Sequence, residues 1–169
     1  MRLPFLKKAG AGSEPLVVSM TGARLGDPIA FWGTTPELAL PLAARVGLSG
    51  RALVVGPSAA SIEAEATREG ILVEPADGFP ADGSFDLAVV EATNGWEAAA
   101  SAALPAVRSG GRVIVVLGAE RTGLRALFSS APASEGSADP IVATLSRQGW
   151  HRARAIGGRD GLTFVEAFR

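Results

Sequence analysis

The stretch PIAFWGTTPELALPLAARVGLSGRALVVG, residues 28–56, decides the fold. Ile29 to Trp32 is an apolar run, and Thr35-Pro36-Glu37 then supplies a helix N-cap, a first-turn proline and an early acid. Apolar residues at helical spacing follow, and Arg51 to Val55 is a second apolar run. The stretch therefore predicts a strand, a helix and a strand. Because proline lacks the N–H for the bond four residues back, Pro41 should kink this helix or delay its start.

The alternation of strands and helices continues along the chain. Three further apolar runs predict strands at Ile71–Glu74, Phe85–Val90 and Arg112–Leu117. Helices are predicted from Ser58 or Ser61 to Gly70, from Trp96 to Ala103, weakly around 124–128, and from Asp139 to Gly149. The strands are continuous apolar runs rather than alternating ones, as in a parallel sheet covered on both faces. We therefore predict a three-layer α/β sandwich with a doubly wound sheet.

One glycine-rich turn, a terminal hairpin and two irregular segments complete the prediction. Ser109 to Gly111 reads as a turn before a strand, and residues 129–138 read as a mobile segment rich in Ser, Ala, Gly and Pro. Arg152 to Ile156 and Leu162 to Phe168 predict an antiparallel hairpin at the end of the sheet. Residues 1–27 are assigned to an irregular N-terminal arm, whose apolar stretch 16–20 is too short to classify, and residues 28–169 to one α/β domain.

The composition of the chain excludes several classes of function. The chain has 169 residues, 47% of them hydrophobic, and a formal net charge of -1, which favours a globular protein without the electrostatic footprint of a nucleic-acid binder. With no cysteine and a single histidine, His151, it offers no disulfide, thiolate nucleophile or Cys- or His-rich metal site. No apolar run reaches the roughly 18 residues of a membrane span, and no signal peptide is recognisable. We expect a cytoplasmic protein with no metal, nucleic acid or membrane as partner.

Four segments carry a resemblance to a known family. They are PADGSFDLAVV at 80–90, VRSGGRVIV at 107–115, VVGPS at 54–58 and the final strand at 162–169. In order and spacing they resemble class I S-adenosylmethionine-dependent methyltransferases, especially the branch that modifies quinones and other small molecules. The resemblance implies a seven-stranded Rossmann-like sheet that binds the cofactor across the carboxyl ends of its strands, near the first strand–helix turn. Open α/β sheets generally bind ligands at that edge.

The first turn departs from the family's pattern of an acid followed by G-x-G-x-G. Only Gly33 matches; Phe31 stands at the acid, and Thr35 and Glu37 stand at the second and third glycines. Gly56 stands where the family has the acid that accepts the ribose hydroxyls. Hydrogen bonds to a charged acceptor contribute about 1.5–3 kcal/mol, so this loss alone weakens binding roughly tenfold to a hundredfold. The sequence therefore predicts a degraded S-adenosylmethionine site.

The resemblance still marks six candidate cofactor contacts: Trp32, Gly33, Thr34, Gly56, Asp77 and Glu91. Each has an alternative structural interpretation. Trp32 either stacks on a flat ligand or belongs to the core, and Asp77 is either the adenine-contacting acid or a solvated turn residue. Glu91 follows strand four, where the family often places substrate or catalytic groups, but the loop after it is equally a plain connection. The sequence indicates no catalytic residue.

His151 and the arginines near strand five are expected to lie outside any functional site. His151 at the start of an edge strand is expected to be an exposed structural residue. The arginines of the strand-five region either form a small anion patch or a solvated face, and we favour the solvated face. These arginines are Arg108, Arg112, Arg121 and Arg125.

Three functions are compatible with these observations. The first is a methyltransferase-like protein with a degraded cofactor site, acting as a non-catalytic binding or assembly subunit, as a homodimer or with a partner protein. The second is an active S-adenosylmethionine-dependent methyltransferase that uses a rebuilt turn and acts on a small molecule mainly through proximity and orientation. The third uses the fold for another nucleotide-like ligand, contacted by Trp32 and Asp77. We favour the first.

Overall fold

The computed structural model describes residues 15–118, 138–159 and 161–169. Its elements are α1 (Leu16–Thr21), β1 (Pro28–Trp32), α2 (Pro36–Val46), β2 (Arg51–Val55), α3 (Ala59–Glu69), β3 (Glu74–Ala76), β4 (Phe85–Glu91), α4 (Trp96–Ala103), β5 (Val107–Leu117), α5 (Asp139–Arg147), β6 (His151–Arg159) and β7 (Leu162–Phe168). The predicted helix at 124–128, most of the segment 129–138, Arg121 and Arg125 lie outside the described residues.

The strands form one seven-stranded sheet in the order β3-β2-β1-β4-β5-β7-β6. The first five strands of that order run parallel, whereas β7 pairs antiparallel with both β5 and β6. The order in which the chain adds strands to the sheet reverses between β1 and β4. Because β1, β2 and β4 run parallel, their carboxyl ends meet at one edge. The predicted α/β sandwich with a C-terminal antiparallel hairpin is confirmed.

Two large hydrophobic clusters cover most of the two faces of the sheet, and a third, small cluster consists of Ala30, Leu53, Val55, Phe85 and Ala106. On one face, α1, α2 and α3 pack against β1 and β2, and α2 contributes Leu38, Leu42 and Val46 at four-residue spacing. On the other face, α4 and α5 pack around Leu145 and Trp150, whose indole donates a 3.2 Å hydrogen bond to the Ala100 carbonyl. Such burial of apolar side chains on both faces is what makes the strands continuous apolar runs.

The structure corrects several boundaries. The unclassified stretch at the end of the arm forms α1, which buries Val17 and Val18 in the main core. The third strand lies at Glu74–Ala76 rather than at Ile71–Glu74, because pairing with β2 rather than apolar content places it. Ile71 and Val73 instead pack against the core from an irregular segment.

The turn predicted at Ser109–Gly111 is also wrong, since β5 already begins at Val107. The two glycines belong to an irregular part of the β4–β5 ladder, whose register shifts between Phe85 and Leu87. Pro41 lies inside α2, and the helix begins at Pro36 without delay.

Of the two outermost strands of the sheet, β3 is short and β6 is irregular. β3 has three residues, with Pro75 in its middle, and β6 pairs with β7 through two register shifts. Arg152 lies in the first of these shifts at φ 53, in the left-handed region that non-glycine residues rarely adopt. His151 is exposed on this edge strand, as expected. Within the described residues, every helix falls short of the length and apolar character of a membrane span.

Candidate functional site

The carboxyl edge of the parallel strands brings the sequence-predicted site residues together. Gly33 follows β1, Gly56 follows β2, and Glu91 is the last residue of β4. Asp77 follows β3, whose Ala76 pairs with Val55, so Asp77 lies level with Gly56 on the neighbouring strand. Crevices at this edge, where the strand order reverses, are where open α/β sheets bind ligands.

Trp32 lies across this edge. A Cβ placed on Gly56 would be 2.9 Å from its Nε1, and a Cβ placed on Gly95 would be 3.4 Å from its Cη2. The two ends of the indole therefore contact the backbone after β2 and the backbone before α4. The ring is partly buried and packs against two of the core clusters. Trp32 therefore packs against the core at the edge where the cofactor site is predicted.

Gly56 is held in a backbone conformation that suits glycine, with φ +100. An aspartate or glutamate here, as the family has, would adopt a strained φ and would place its Cβ against the indole. The absence of an acid at this position and the placement of Trp32 are therefore linked. Phe31, at the position of the family's other acid, is fully buried in the main core.

Gly33 begins the loop between β1 and α2 with φ +63. A Cβ there would lie 3.2 Å from the Thr93 hydroxyl and 4.0 Å from the Cβ of Glu91, so the two loops at the ends of β1 and β4 pack closely. Glu91 is 2% exposed. A buried acid thus stands directly beside the single glycine retained from the motif.

Three hydroxyls near this edge have no hydrogen-bond partner among the described residues. They belong to Thr34, Thr35 and Ser58. Thr35 and Ser58 occupy the N-cap positions of α2 and α3, as predicted, but neither side chain makes the capping hydrogen bond. Thr34 is 1% exposed. Leaving a buried hydroxyl unsatisfied costs about 1–3 kcal/mol. A ligand that hydrogen-bonds to these hydroxyls at this edge would remove that cost.

Some contributors to the edge are absent from the sequence prediction. Phe79, in the turn-rich segment before β4, packs against the same two clusters as Trp32. A lone aromatic residue in an otherwise polar segment was the available signal. Asp77 and Glu37 are both exposed. No group of three or more His, Asp or Glu side chains in the described part of the chain is placed to hold a metal ion.

The described arginines of the predicted patch are each engaged by neighbours. Arg108 forms an ion pair with Asp86, and Arg112 donates to the carbonyl of Thr21. Both belong to the first half of β5 and lie beside the first residues of β4, away from the candidate site. They therefore take no part in cofactor recognition at the carboxyl edge.

Comparison with known proteins identifies the fold. No protein-family model and no curated protein matches the chain. Among solved structures, it is similar to an S-adenosylmethionine-dependent O-methyltransferase from Thermotoga maritima, with a TM-score of 0.67, 15% identity, and coverage of 90% of this chain and 63% of that one. A SAM-dependent methyltransferase from Aquifex aeolicus gives 0.66 and 16%, covering 89% and 86%.

A third similar structure is titled PigF with SAH, with a TM-score of 0.61 and 16% identity over 93% of this chain and 62% of that one. The chain thus spans less than two thirds of the length of two of these three proteins. Together these likenesses confirm the class I SAM-dependent methyltransferase fold that the four sequence segments predict.

Proposed function

We propose that this chain uses the class I methyltransferase fold without methyl transfer, as a binding or assembly subunit whose S-adenosylmethionine site is degraded. The observation that carries the proposal is the indole of Trp32 lying against Gly56. In the family, this is where a carboxylate accepts the ribose hydroxyls. Here the acceptor is missing and an aromatic ring adjoins its place.

The neighbouring groups offer little compensation. Asp77 lies level with Gly56 but is exposed, and solvent weakens the electrostatic interaction of an exposed carboxylate with a ligand. Phe31 is buried where the family's first acid would stand. Loss of a charged acceptor contributing about 1.5–3 kcal/mol weakens cofactor binding by one to two orders of magnitude.

The first prediction concerns cofactor binding by the intact chain. We expect that S-adenosylmethionine and S-adenosylhomocysteine at about 1 mM, a typical saturating level, do not bind the chain. Titration calorimetry should then give no binding heat, and thermal melting should give no rise in Tm. A ligand at 100 times its Kd adds about 2.7 kcal/mol to the free energy of unfolding, which a melt detects readily. A clear rise for the wild-type chain would contradict the proposal.

A variant tests whether Trp32 is the obstacle. Trp32→Ala removes the ring between Gly56 and Gly95 and should give measurable binding of S-adenosylhomocysteine. Trp96→Ala is the matched control, because Trp96 is also a partly buried tryptophan of the second cluster but is not the residue against Gly56. If neither variant binds S-adenosylhomocysteine, the ring of Trp32 is not the sole obstacle, and the missing acid remains the explanation.

A second candidate function is an active methyltransferase with a rebuilt cofactor turn. The unpartnered hydroxyls of Thr34, Thr35 and Ser58 favour it, because a ligand at this edge would satisfy them. The buried carboxylate of Glu91 would then lie beside the bound ligand. The wild-type titration discriminates the two functions, since an active enzyme must bind the methyl donor.

The assembly part of the proposal concerns a homodimer or a complex with a partner protein. It is tested by the molar mass of the chain in solution, measured by light scattering during size exclusion over a range of concentrations. A dimer mass, or co-elution with a partner, supports an assembly role. If the chain is a monomer at every concentration and no partner co-elutes, only the binding role remains as the proposal.

A further inference from the structure

The amino edge of the sheet, opposite the candidate site, contains a polar pocket. It has a volume of about 240 Å³ and lies between the loop after α1 and the first residues of β4 and β5. Its charged lining comprises Arg24, Asp27, Asp86, Arg108 and Arg112. Three guanidinium groups and two carboxylates therefore line this pocket, and the Glu166 carboxylate lies next to Arg112.

Arg112 is fixed at one side of the pocket with most of its hydrogen-bonding capacity unused. Its Nη2 donates to the carbonyl of Thr21, and its Nη1 forms a 3.8 Å ion pair with Oε1 of Glu166 that is too long for a hydrogen bond. Its Nε has no partner among the described residues. A guanidinium carries five N–H donors, so this one is oriented by the fold but not saturated by it.

Arg108 and Arg24 complete the cationic lining. Arg108 is oriented by its ion pair with Asp86, and its side chain is 57% exposed. The hydrogen bond and charge of Asp86, with a smaller effect of Asp27, raise the pKa of Arg108. The backbone N–H of Arg24 donates a 2.8 Å hydrogen bond to Asp27, and no hydrogen bond or ion pair of its guanidinium appears within the described residues.

The rest of the lining is open backbone. Gly22, Gly110 and Gly111 lie between the arginines. A Cβ on Gly110 would meet nothing within 4 Å, so no side chain closes that part of the pocket. Planar guanidinium groups that line an open cavity can donate paired hydrogen bonds to carboxylate and phosphate oxygens.

We propose that this amino-edge pocket binds a small oxyanion, the carboxylate or phosphate group of a small molecule, through Arg24, Arg108 and Arg112. The site is separate from the carboxyl edge, because the seven residues of β4 place roughly 20 Å between them. It does not depend on whether S-adenosylmethionine binds.

The test titrates inorganic phosphate and, separately, acetate against the full chain, with chloride at matched ionic strength as the reference. The expected result is a saturable shift of the backbone amide signals of Gly22, Gly110 and Gly111 in NMR spectra, together with a higher Tm than in chloride. Response to phosphate, acetate or both identifies the anion, and each of these supports the site.

Variants tie the response to the arginines. Arg24→Gln and Arg108→Gln should each raise the Kd about tenfold, as expected for loss of one charged hydrogen-bond donor. Arg68→Gln is the matched control, because Arg68 is a 72% exposed arginine on α3 that pairs with Glu65. Its Kd should not change. Arg112 also holds α1 through Thr21, so the conclusion rests on the other two arginines.

Two results would overturn the proposal. The first is the absence of any saturable response beyond that to chloride in the wild-type chain. The second is a response that Arg24→Gln and Arg108→Gln leave intact or that Arg68→Gln weakens equally, since the anion would then bind to surface charge in general.

Discussion

Gly56 and Gly95 each lack the side chain that would press on the indole of Trp32. The three residues therefore act as a set, in which a large ring at the end of β1 requires small residues at the ends of its neighbours. The chain's glycine content, 21 residues, includes this steric role in addition to turns. The sequence shows the glycines but not the ring between them, because spacing along the chain does not specify a side-chain rotamer.

Gly118 is a second glycine at which the chain leaves no room for a side chain. A Cβ at Gly118 would lie 2.2 Å from the carbonyl oxygen of Gly161, a backbone atom that cannot move aside cheaply. Gly118→Ala should therefore lower the free energy of unfolding by about 1–3 kcal/mol more than Gly70→Ala. Both glycines have positive φ, but a Cβ at Gly70 meets nothing within 4 Å.

Urea denaturation of the two alanine variants measures this difference. Because the left-handed backbone penalises both substitutions, the comparison isolates the close approach of the chain at Gly118. Equal losses of stability in the two variants would mean that the backbone around Gly161 relaxes to accept the methyl group.

At the scale of elements, apolar content predicts the central strands correctly but does not predict the position of the edge strand β3. β1, β2 and β4 are buried on both faces, so their sequences are continuous apolar runs. β3 is Glu-Pro-Ala, which has no strand pattern of its own and is defined by its pairing with β2. The start of β5 was likewise hidden, because Gly110 and Gly111 are typical of turns but here accommodate a shift of register.

Helix α2 contains two prolines with opposite expected effects. Pro36 occupies the first turn, where a missing N–H has no cost, but Pro41 lies in the interior and removes the bond to the Glu37 carbonyl. Pro41→Ala should raise the free energy of unfolding by about 2 kcal/mol, after allowance for the greater freedom of the unfolded chain.

Pro36→Ala is the control and should lower stability by up to about 1 kcal/mol, since it loses only the rigidity of proline in the unfolded state. Guanidinium denaturation, monitored by the circular dichroism of helices at about 222 nm, measures the free energy of unfolding of both variants. A loss of stability in Pro41→Ala would indicate that the ring of Pro41 contributes packing that outweighs the broken helix bond.

At the scale of the whole molecule, the domain begins to bury apolar residues before the first strand. Val17 and Val18 are 4% and 3% exposed, and the Thr21 carbonyl accepts a hydrogen bond from Arg112 of β5. The boundary predicted at residue 28 followed from the first strand–helix rhythm, which a six-residue helix does not reveal. Such a short helix depends on tertiary packing rather than on its own propensity.

Two shortened chains test this boundary. A chain that begins at Pro28 loses both valines of α1 and should be less stable by on the order of 3–5 kcal/mol than a chain that begins at Pro15. Chemical denaturation of the two chains isolates the contribution of residues 15–27. Equal stability would support a domain that starts at Pro28.

Overall architecture followed from the sequence because the alternation of buried strands and helices allows few topologies. The location of the candidate site at the carboxyl edge followed from the same alternation. Whether that edge accepts a ligand depends on Trp32, Gly56 and the unpartnered hydroxyls of Thr34 and Ser58. These are three-dimensional relations between loops, and no local pattern in the sequence encodes them.

The two outer strands determine how copies of this protein can meet. β3 offers only three residues with Pro75 among them, and β6 is interrupted by two register shifts and carries Arg152 and Arg154. Neither strand presents an unbroken row of amide and carbonyl groups for another chain to zip onto. The sheet is therefore protected from edge-to-edge aggregation. A homodimer, where one forms, must be built from helix faces or loops rather than from a continuous intermolecular sheet.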